Sequence, residues 1–510
     1  MSLLYQVLAA AALLLAAPWL LARRGRHYLT TVRGRLGLDL PEPAGPRPLW
    51  LHAVSVGEVG VAATLARALP PDLPLLVTTV TPTGQERARA VFGREPFAGR
   101  TAVAYLPFEL AFAVRRVFRR FAPRALVLVE GDYWPLVLAE ARRRGVPAAV
   151  VNGRVGDRSF RRMRRLRRLL GPLFDPVRAF AVQTAADRDR LVELGVDPAR
   201  VEVAGNLKYD TPEPPELPEL AALVRRLAAG RPVLVAGSTM GARGAAGRPG
   251  PPDRTPPVEK GVAADGASGR GGNEPPAGRP ADASSETAVP EEVAVARAFR
   301  SLGGGEHALL VVAPRHPERW DAGAAFLRAE GLTVVRRSEA DRHSASAEGQ
   351  GADDAGRRHE ASRHDAGDGP DAVPPDALLL DTMGELAALY RHAAAAFIGG
   401  TLVPTGGHNP LEAARFGVPV AAGPSMVNFR QIAAELDAAV AWRRVAGAGD
   451  LGEAWRAWLD DPAEARRVGE AGRRLVEANR GAVHRAVELL ERTLGDALAP
   501  GPPSARREPA

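Results

Sequence analysis

Short apolar runs alternate with helical stretches along most of this 510-residue chain, and no other feature restricts the possible folds as strongly. Successive strands joined by helices form parallel sheets, so the alternation predicts the α/β class with a doubly wound parallel sheet. The runs of the first set lie at residues 49–53, 75–80, 125–129, 147–151, 179–182 and 201–204.

A second set of apolar runs predicts a second, similar domain. A stretch rich in proline and glutamate at 211–218 separates the two sets and marks the predicted hinge. We therefore predict two Rossmann-like domains, over residues 36–212 and 219–496. The runs of the second set lie at residues 233–236, 308–313, 332–335, 377–380, 394–398 and 419–421.

Three stretches of the second half have a different composition. Residues 241–290, 339–375 and 497–510 contain few large apolar side chains and many Gly, Pro, Ala, Asp and Arg residues. Such segments bury too little apolar surface to offset the entropy that is lost on ordering. We predict two disordered insertions and a disordered tail.

The amino terminus predicts a membrane anchor over residues 1–22. Residues 3–21 are nearly all apolar, which is about the length that spans a hydrocarbon core. Arg23, Arg24 and Arg26 follow the apolar stretch, and positive charge after a span keeps the remainder of a chain in the cytoplasm. A cleaved signal peptide and a helix lying on the bilayer surface are the alternatives.

Charge and composition restrict the partners. The net charge of +8 favours anionic partners such as phosphorylated substrates or an anionic membrane surface. Aromatic residues make up only 5% of the chain and do not alternate with basic residues, which argues against single-stranded nucleic acid as a partner. The chain has no cysteine, so disulfides and thiolate metal sites are excluded.

A glycine-rich turn at 399–412 predicts an anion site in the second domain. It follows the apolar run 394–398 and leads into a helix-like stretch from Pro410. Free N–H groups in the first turn of that helix can hold a phosphate, and Glu412 can accept hydrogen bonds from ribose hydroxyls. Gly384, within 381–386, indicates a second anion cradle, and Arg315 follows another buried strand as a candidate phosphate ligand.

Three residues of the first domain are candidates for catalysis. Glu58 stands at a strand-to-helix turn beside Gly57, which permits a sharp turn and close approach of a ligand; the alternative is an acidic residue that complements the helix dipole. Glu130 ends a strand two residues before Asp132, whose alternative role is to cap the helix that begins at Pro135. Lys208 lies near the hinge, where it could neutralise a phosphate or be a solvated surface lysine.

Two charged stretches leave alternatives open. Residues 158–168 form a basic amphipathic helix that could bind an anionic membrane or a phosphorylated lipid, bind nucleic acid electrostatically, or be a solvated face. Asp187 and Asp189 form an acid-x-acid string of the kind that holds a divalent ion in some sugar transferases. This string lies in a helical stretch, so a solvated face is favoured there.

With these residues identified, the chain resembles the 3-deoxy-D-manno-octulosonic acid (Kdo) transferases of lipid A biosynthesis. Asp132 stands where this family usually has a second glutamate, and Ser425 where a histidine is common. The ordered motifs that carry the resemblance lie at residues 52–58, 78–84, 105–108, 130–135, 151–159, 205–210, 314–319, 381–386 and 406–412.

The resemblance implies a GT-B fold, in which the first domain binds the acceptor and the second binds CMP-Kdo. It implies an inverting glycosyltransferase that acts on the lipid A precursor (lipid IVA) at the cytoplasmic side of the inner membrane. Because a cationic and dipolar cradle can stabilise a leaving phosphate without a metal, and no convincing metal motif is present, we expect no metal or other cofactor. Glu58 would be the base, and Glu130 and Lys208 would stabilise the transition state. The implied CMP-binding residues are Pro314, Arg315, Met383, Gly384, Glu385, Asn409, Pro410, Leu411 and Glu412.

Two other functions stay open on the sequence. One is a different GT-B protein that uses a UDP-sugar, either a lipid-linked N-acetylglucosaminyl transferase or a sugar-nucleotide 2-epimerase. The other is a non-catalytic, membrane-anchored interaction protein.

Overall fold

The computed structural model describes residues 29–165, 173–241, 289–340 and 374–498. Contacts within the chain divide it into two compact units: Met1–Glu213 with Ala478–Ala510 (unit 1), and Pro214–Glu477 (unit 2). The predicted anchor, and nearly all of the two predicted insertions and the tail, lie outside the described residues. Within the described ranges, no helix is both long enough and apolar enough to cross a bilayer.

Unit 1 contains a seven-stranded sheet in which every neighbouring pair is parallel. The strands are β1 Leu49–His52, β2 Leu75–Thr79, β3 Thr101–Tyr105, β4 Ala125–Val129, β5 Ala148–Gly153, β6 Val177–Val182 and β7 Val201–Val203. Their order across the sheet is β3-β2-β1-β4-β5-β6-β7. Strands β1, β2, β4 and β5 are buried throughout, because helices cover both faces of the sheet.

Helices follow the strands of unit 1 and divide between the two faces of the sheet. They are α1 Leu29–Arg35, α2 Val56–Arg67, α3 Pro82–Phe92, α4 Ala111–Phe121, α5 Pro135–Arg143, α6 Asp157–Arg165 and α7 Ala185–Glu193. Leu65 of α2 and Phe92 of α3 pack into the core on one face. Phe118 of α4 and Leu138 of α5 pack into the core on the other.

The strand order of unit 1 reverses between β1 and β4. Strand β1 pairs with β2 on one side and with β4 on the other, so that His52 lies opposite both Thr78 and Leu128. Ligands of open α/β sheets bind outside the carboxyl ends of the strands at such a reversal. The segments that carry Glu58 and Glu130 leave the sheet at this point.

Unit 2 repeats the architecture with a second parallel sheet of seven strands. The strands are β8 Val233–Thr239, β9 Leu309–Pro314, β10 Val334–Arg336, β11 Ala377–Leu379, β12 Ala395–Ile398, β13 Val420–Ala422 and β14 Trp442–Arg444. Their order is β10-β11-β9-β8-β12-β13-β14, so that β8 lies in the centre between β9 and β12. The predicted pair of parallel α/β domains is confirmed.

Helices of unit 2 alternate with its strands, although two of those at the carboxyl edge are very short. They are α8 Pro218–Ala228, α9 Glu291–Ser301, α10 Trp320–Ala329, α11 Leu386–Leu389, α12 Leu411–Ala414, α13 Arg430–Ala438, α14 Ala448–Asp460 and α15 Pro462–Ala478. Phe299 of α9 and Trp455 of α14 are fully buried in the core beside Phe397 of β12.

The carboxyl-terminal segment departs from the predicted domain division. The sequence prediction assigned residues up to 496 to the second domain, but the final helix, α16 Ala482–Leu494, belongs to unit 1. Ala486, Leu490 and Leu494 of α16 are buried in the same core cluster as β1 and β2. Strand order and hydropathy do not reveal this return of the chain, because an amphipathic helix fits either sheet.

Candidate active site

Glu58 lies in the first turn of α2, just beyond the carboxyl end of β1. Its Oε2 accepts a hydrogen bond from Val54 N (2.7 Å), and its Oε1 accepts one from Ser55 Oγ (3.0 Å). Glu58 also stands in the first helical turn, where the helix dipole favours a carboxylate, so the alternative role of complementing the dipole fits this position. Such a position is compatible with a role as a base, because Glu58 keeps 9% of its surface exposed.

The surroundings of Glu58 tune its acidity. Burial is the main cause that raises the pKa of Glu58 from 4.5 to about 7, and the negative charge of Glu130 is the second. The hydrogen bonds from Val54 and Ser55 oppose the rise, and Asp132 adds a smaller contribution to it. A general base works best when its pKa lies near the operating pH, and Glu58 meets this condition.

Gly57 is not required by the backbone in the way that the sequence predicts. It has no positive φ, and a Cβ at Gly57 would meet nothing within 4 Å. The prediction that Gly57 permits a sharp turn is therefore wrong, because any residue could adopt this helical conformation. Close approach of a ligand to Gly57 stays a prediction.

Glu130 occupies a strained backbone position at the end of β4. Its φ is 68°, in the left-handed region that favours glycine, at a cost of about 1–3 kcal/mol. Two backbone bonds hold this conformation: Glu130 N donates to Val151 O (2.9 Å), and Arg154 N donates to Glu130 O (3.2 Å). The following residue, Gly131, has no room for a side chain, since a Cβ would lie 2.7 Å from Arg154 O.

Two cations neutralise the Glu130 carboxylate. Lys208 Nζ lies 2.9 Å from Glu130 Oε1, and Arg154 Nε lies 3.0 Å from Glu130 Oε2. The Lys208 side chain is only 13% exposed, so the alternative of a solvated surface lysine is wrong. The three side chains together carry a net positive charge at the reversal point of the sheet.

Buried amides hold Lys208 in place. Asn152 Oδ1 accepts a hydrogen bond from Leu207 N (2.9 Å), and Asn206 Oδ1 accepts one from Lys208 N (3.1 Å). Gln183 connects these two residues, since it donates to Asn152 O (2.9 Å) and accepts from Asn206 Nδ2 (3.3 Å). A network of this kind restricts the positions that the Lys208 ammonium can reach.

Asp132 does not cap α5. The first N–H groups of this helix, on Leu136 and Val137, donate to the carboxylate of Glu109 at 2.9 and 3.3 Å. The predicted capping role therefore belongs to Glu109, which the sequence did not indicate. Burial and then the charge of Glu130 raise the pKa of Asp132, and the charge of Arg154 partly offsets the rise.

The acid-x-acid string of α7 has structural contacts. Asp187 Oδ1 accepts a hydrogen bond from Val155 N (2.8 Å), and Asp187 Oδ2 accepts one from Thr184 Oγ1 (2.5 Å). Asp187 is buried, so the favoured interpretation as a solvated face is wrong for this residue. Asp189 pairs with Arg188 at 3.0 Å. Across the part of the chain that is described, no three His, Asp or Glu residues are grouped so that they could hold a metal ion.

In unit 2, part of the predicted phosphate cradle is occupied by a carboxylate of the chain itself. Glu291 Oε2 accepts a hydrogen bond from Gly400 N (2.6 Å), and Glu291 Oε1 accepts from Thr401 N and Leu402 N (2.9 Å each). These three N–H groups are therefore not free for a phosphate, whereas phosphate binding by the first turn of the helix that follows Pro410 stays a prediction. Glu291 is 0% exposed, so no substrate reaches it.

The later part of the same turn carries four of the residues predicted to bind CMP. Asn409 Oδ1 accepts a hydrogen bond from Leu411 N (3.2 Å), and the helix predicted from Pro410 is present as α12, which runs for four residues. Pro410 and Leu411 are buried and shape the turn, while Glu412 is half-buried. Burial, and then the charge of Glu412, raise the pKa of Tyr390, so the Glu412 carboxylate lies within electrostatic reach of the Tyr390 hydroxyl.

The second predicted anion cradle is a turn whose Glu385 is paired with Arg337. Gly384 has a φ of 98° and open space around it, and the neighbouring Met383 is 60% exposed. Glu385 accepts a hydrogen bond from Thr382 Oγ1 and lies 3.3 Å from Arg337 Nη2. The turn thus presents an exposed apolar side chain and a fixed carboxylate, which suits the contact with a nucleoside that the resemblance implies.

Pro314 and Arg315 lie at the carboxyl end of β9, where Arg315 N donates to Thr239 O (3.0 Å). Burial is the main cause that lowers the pKa of His408 to about 3, and the positive charge of Arg315 is the second. Arg315 therefore lies within electrostatic reach of the turn that carries Asn409. The residues predicted to bind CMP therefore come from the carboxyl ends of three strands, β9, β11 and β12, that are separate in sequence.

Comparison with known proteins decides the family. Residues 30–211 match the family described as 3-Deoxy-D-manno-octulosonic-acid transferase (kdotransferase). A 3-deoxy-D-manno-octulosonic acid transferase of Bordetella pertussis is 31% identical over 466 residues, which cover 91% of this chain and 91% of that protein. The chain belongs to the Kdo transferase family.

One further sequence relative agrees with this assignment. A 3-deoxy-D-manno-octulosonic acid transferase of Haemophilus influenzae is 28% identical over 482 residues, with 92% of this Kdo transferase and 93% of the relative covered. The solved C-terminal CMP-Kdo binding domain of WaaA from Acinetobacter baumannii is 22% identical, with 51% and 97% coverage and a TM-score of 0.34. The family assignment rests on the sequence relatives and not on this structural likeness. The predicted family and the predicted class of glycosyltransferase are confirmed.

Several residues of the Kdo transferase site escaped the sequence analysis. Glu109 and Glu291 each accept hydrogen bonds from the backbone of a distant segment, and no local pattern marks such a partner. Asn152 lies in a quoted motif, but its role in supporting Lys208 depends on a contact across 55 positions. The one available signal was the pair of acidic residues at the start of α9, directly after a stretch poor in large apolar residues.

Proposed function

We propose that this Kdo transferase moves a Kdo residue from CMP-Kdo to a hydroxyl of the lipid A precursor, lipid IVA, at the cytoplasmic face of the inner membrane. The observation that carries the proposal is Glu58, a carboxylate with a pKa of about 7 beside a second carboxylate that Lys208 and Arg154 neutralise. The names of the sequence relatives support Kdo as the sugar that is transferred. The resemblance to the family supports CMP as the nucleotide, lipid IVA as the acceptor and the cytoplasmic face as the side of the membrane.

Glu58 is suited to activate the acceptor. As the acceptor hydroxyl oxygen forms a bond to the anomeric carbon of Kdo, the proton of that hydroxyl passes to the Glu58 carboxylate. The bond between the anomeric carbon and the phosphate oxygen breaks, and CMP leaves with the electron pair. A single displacement of this kind inverts the anomeric carbon.

The cations of unit 1 and Arg315 of unit 2 suit the charges of this reaction. Lys208 and Arg154 together outweigh the single charge of Glu130, which leaves positive charge for the carboxylate of the sugar acid or for the departing phosphate. Arg315 can contact a phosphate with two parallel hydrogen bonds. Since these fixed groups supply the required charge, we propose that the reaction needs no metal ion or other cofactor.

The reaction requires that the base and the donor meet. The GT-B arrangement that the sequence predicts, in which two Rossmann-like domains face one cleft, is therefore part of the proposal. The presence of two parallel α/β units supports it. In this arrangement unit 1 binds the acceptor, and unit 2 binds CMP through the residues around Arg315, Gly384 and Asn409.

Helix α6 supports contact with an anionic lipid surface. None of its nine residues is fully buried, and Arg158, Arg161, Arg162 and Arg165 line one open cavity. Phe160 and Met163 of the same helix pack against the core of unit 1, so that the arginines face away from it. The rest of the predicted basic stretch, from residue 166, lies outside the described residues. Clustered arginines bind phosphates of lipids, and this favours the membrane and phosphorylated-lipid alternative over nucleic acid.

Mass spectrometry of the lipid product tests the proposal. The purified chain is mixed with lipid IVA and either CMP-Kdo or a UDP-sugar, and a Glu58→Gln variant serves as the control. We expect the mass of the lipid to increase by Kdo with CMP-Kdo and the unmodified chain alone. A gain only with the UDP-sugar would favour the other GT-B enzymes, and no gain with either donor would favour the interaction protein.

A further inference from the structure

We infer that Glu291 is a positioning residue for the donor, because its carboxylate fixes the shape of the turn that carries the predicted CMP-binding residues. The inference rests on the proposed function, in which that turn holds the nucleotide. It assigns a role to a residue that lies outside the motifs of the sequence analysis and makes no contact with substrate.

The Glu291 carboxylate is saturated with backbone donors. Besides Gly400, Thr401 and Leu402, Met240 N also donates to its Oε2 (2.9 Å). In return, Glu291 N donates to Met240 O (3.0 Å). Four N–H groups from two chain segments therefore converge on one fully buried side chain.

These donors have few other ways to be satisfied. Met240 directly follows β8, and Gly400 to Leu402 come one residue after the end of β12, the neighbouring strand in the sheet. At this point the two segments no longer pair with each other; Gly400 and Thr401 are buried, and Met240 and Leu402 are half-buried. A buried N–H group without a partner costs about 1–3 kcal/mol, so one carboxylate that accepts from two buried and two half-buried N–H groups has a large effect on the local structure.

The effect of Glu291 extends along the turn to the residues predicted to bind CMP. Gly407 N and Thr405 Oγ1 both donate to Gly400 O, at 2.8 and 2.9 Å. Gly407 precedes Asn409 by two residues, so the position of Gly400 fixes the approach to the predicted nucleotide site. Without the carboxylate, the N–H groups of 400–402 would turn toward water. The segment 405–409 would then no longer be held in a fixed position by its hydrogen bonds to Gly400.

A second chain of contacts leads from the same turn. Gly423 N donates to Thr401 Oγ1 (2.8 Å), and Ser425 N donates to Thr401 O (3.0 Å). Ser425 Oγ accepts a hydrogen bond from Gly406 N (3.0 Å), which closes a loop of hydrogen bonds around Thr401. Ser425 thus contributes to this network with both its backbone and its side chain.

The adjacent Glu292 has separate partners. Its Oε1 accepts a hydrogen bond from Thr239 Oγ1 (3.0 Å), and its Oε2 pairs with Arg319 Nη2 (2.8 Å). Both glutamates are fully buried, but only Glu291 contacts the turn after β12. The two residues therefore stabilise different parts of the carboxyl edge.

The test compares Glu291→Gln with Glu330→Gln. The first variant puts an amide NH₂ group against N–H donors, which removes part of the acceptor set without changing the size of the side chain. Glu330 also lies in unit 2, directly after the last residue of α10, and its carboxylate pairs with Arg297 at 3.0 Å. Affinity for CMP is measured by calorimetry, together with KM for the donor, KM for the acceptor and kcat. Thermal unfolding reports on the fold.

We expect Glu291→Gln to weaken CMP binding about tenfold or more and to raise KM for the donor by a similar factor, while KM for the acceptor stays unchanged. Glu330→Gln should bind CMP as the unmodified chain does. Affinity of Glu291→Gln within twofold of the unmodified chain would overturn the inference. If unmodified protein binds UDP and not CMP, the same ratio measured with UDP still tests Glu291, and only the proposed donor fails.

Two further measurements keep the test decisive if Glu291→Gln does not fold. In Glu291→Asp the carboxylate is kept but is one methylene shorter, so that it cannot reach all four donors, and we expect an intermediate loss of CMP affinity. In the unmodified chain, the amides of Gly400, Thr401 and Leu402 should exchange slowly with deuterium even without nucleotide. Rapid exchange of these three amides would overturn the inference.

Discussion

The two units place buried carboxylates at the same edge of the same kind of sheet, but surround them differently. Glu58 of unit 1 has two hydrogen-bond donors, two neighbouring carboxylates and 9% of its surface exposed. Glu291 of unit 2 has four backbone donors and no exposed surface. A group that exchanges protons with a substrate needs access, whereas a group that shapes a loop needs donors. The fold position alone therefore does not separate a candidate base from a structural carboxylate.

The largest effect is expected from Glu58→Gln. This change removes the proton acceptor and keeps the size of the side chain, so kcat should fall by about 10²–10⁴-fold while CMP affinity stays unchanged. Glu86→Gln, on the exposed side of α3, is the matched control and should retain full activity. A Glu58→Gln protein with normal kcat would remove the proposed contrast with Glu291.

The pH dependence of transfer sharpens the same contrast. Since the deprotonated form of Glu58 is the base and its pKa is about 7, kcat/KM should rise with pH through about 7 and be about a hundredfold lower at pH 5 than at pH 8. The measurement is the rate profile of the unmodified chain at constant ionic strength. A flat profile between pH 5 and 8 would contradict the assignment of the base.

The stability of the fold should show the opposite trend. The pKa of Glu58 is higher in the folded chain than the ordinary 4.5, so its contribution to the free energy of unfolding is complete below pH 4.5 and is lost as pH rises through about 7. The full effect is at most about 3 kcal/mol. Denaturant unfolding of the unmodified chain and Glu58→Gln at pH 5 and 8 should show this loss in the unmodified chain only.

Lys208→Met tests the cation pair of unit 1. The change leaves Glu130 with Arg154 as its remaining cation, so kcat should fall by about 10–100-fold, and the free energy of unfolding should fall by about 2 kcal/mol. A double-mutant cycle with Glu130→Gln measures the coupling. Lys208→Arg is the conservative control and should restore most of the stability. Unchanged kcat in Lys208→Met would confine Lys208 to a structural role.

The smallest effect is expected from the arginine face of α6. Replacing both Arg161 and Arg162 by serine should raise KM for a lipid acceptor about tenfold, more strongly at low than at high salt, with kcat unchanged. The matched control replaces Arg466 and Arg474, two exposed arginines of α15 in unit 2, and should leave KM unchanged. Equal KM values for the two double variants would contradict the role of α6 in acceptor or membrane contact.

The sequence predicted most of the central strands because each is a continuous apolar run. It missed β3 and β14, which lie at sheet edges. β14 has the sequence Trp-Arg-Arg and contains no such run, whereas β3 does contain one, at residues 102–106, which the sequence prediction overlooked. It also placed α16 in the wrong unit, because the periodicity of a helix does not identify its partner.

Most of the candidate site could be found in the sequence, because strand ends at the reversal point of a parallel sheet are where ligands bind. Glu58 and Glu130 were identified by their places at strand ends and Lys208 by its place near the predicted hinge, and the structure brings Lys208 to within 2.9 Å of Glu130. The use of the glycine-rich turn could not be found. Whether its N–H groups hold a phosphate or a glutamate depends on a residue more than a hundred positions away.

The sequence by itself determined the two parallel α/β units, the family and the residue types at the strand ends, since apolar periodicity and ordered motifs are local properties. Only the tertiary structure decided the acidity of Glu58, the partners of Lys208 and the occupation of the turn by Glu291. The physical reason is that burial, charge proximity and hydrogen bonding depend on distances between segments that are remote in sequence.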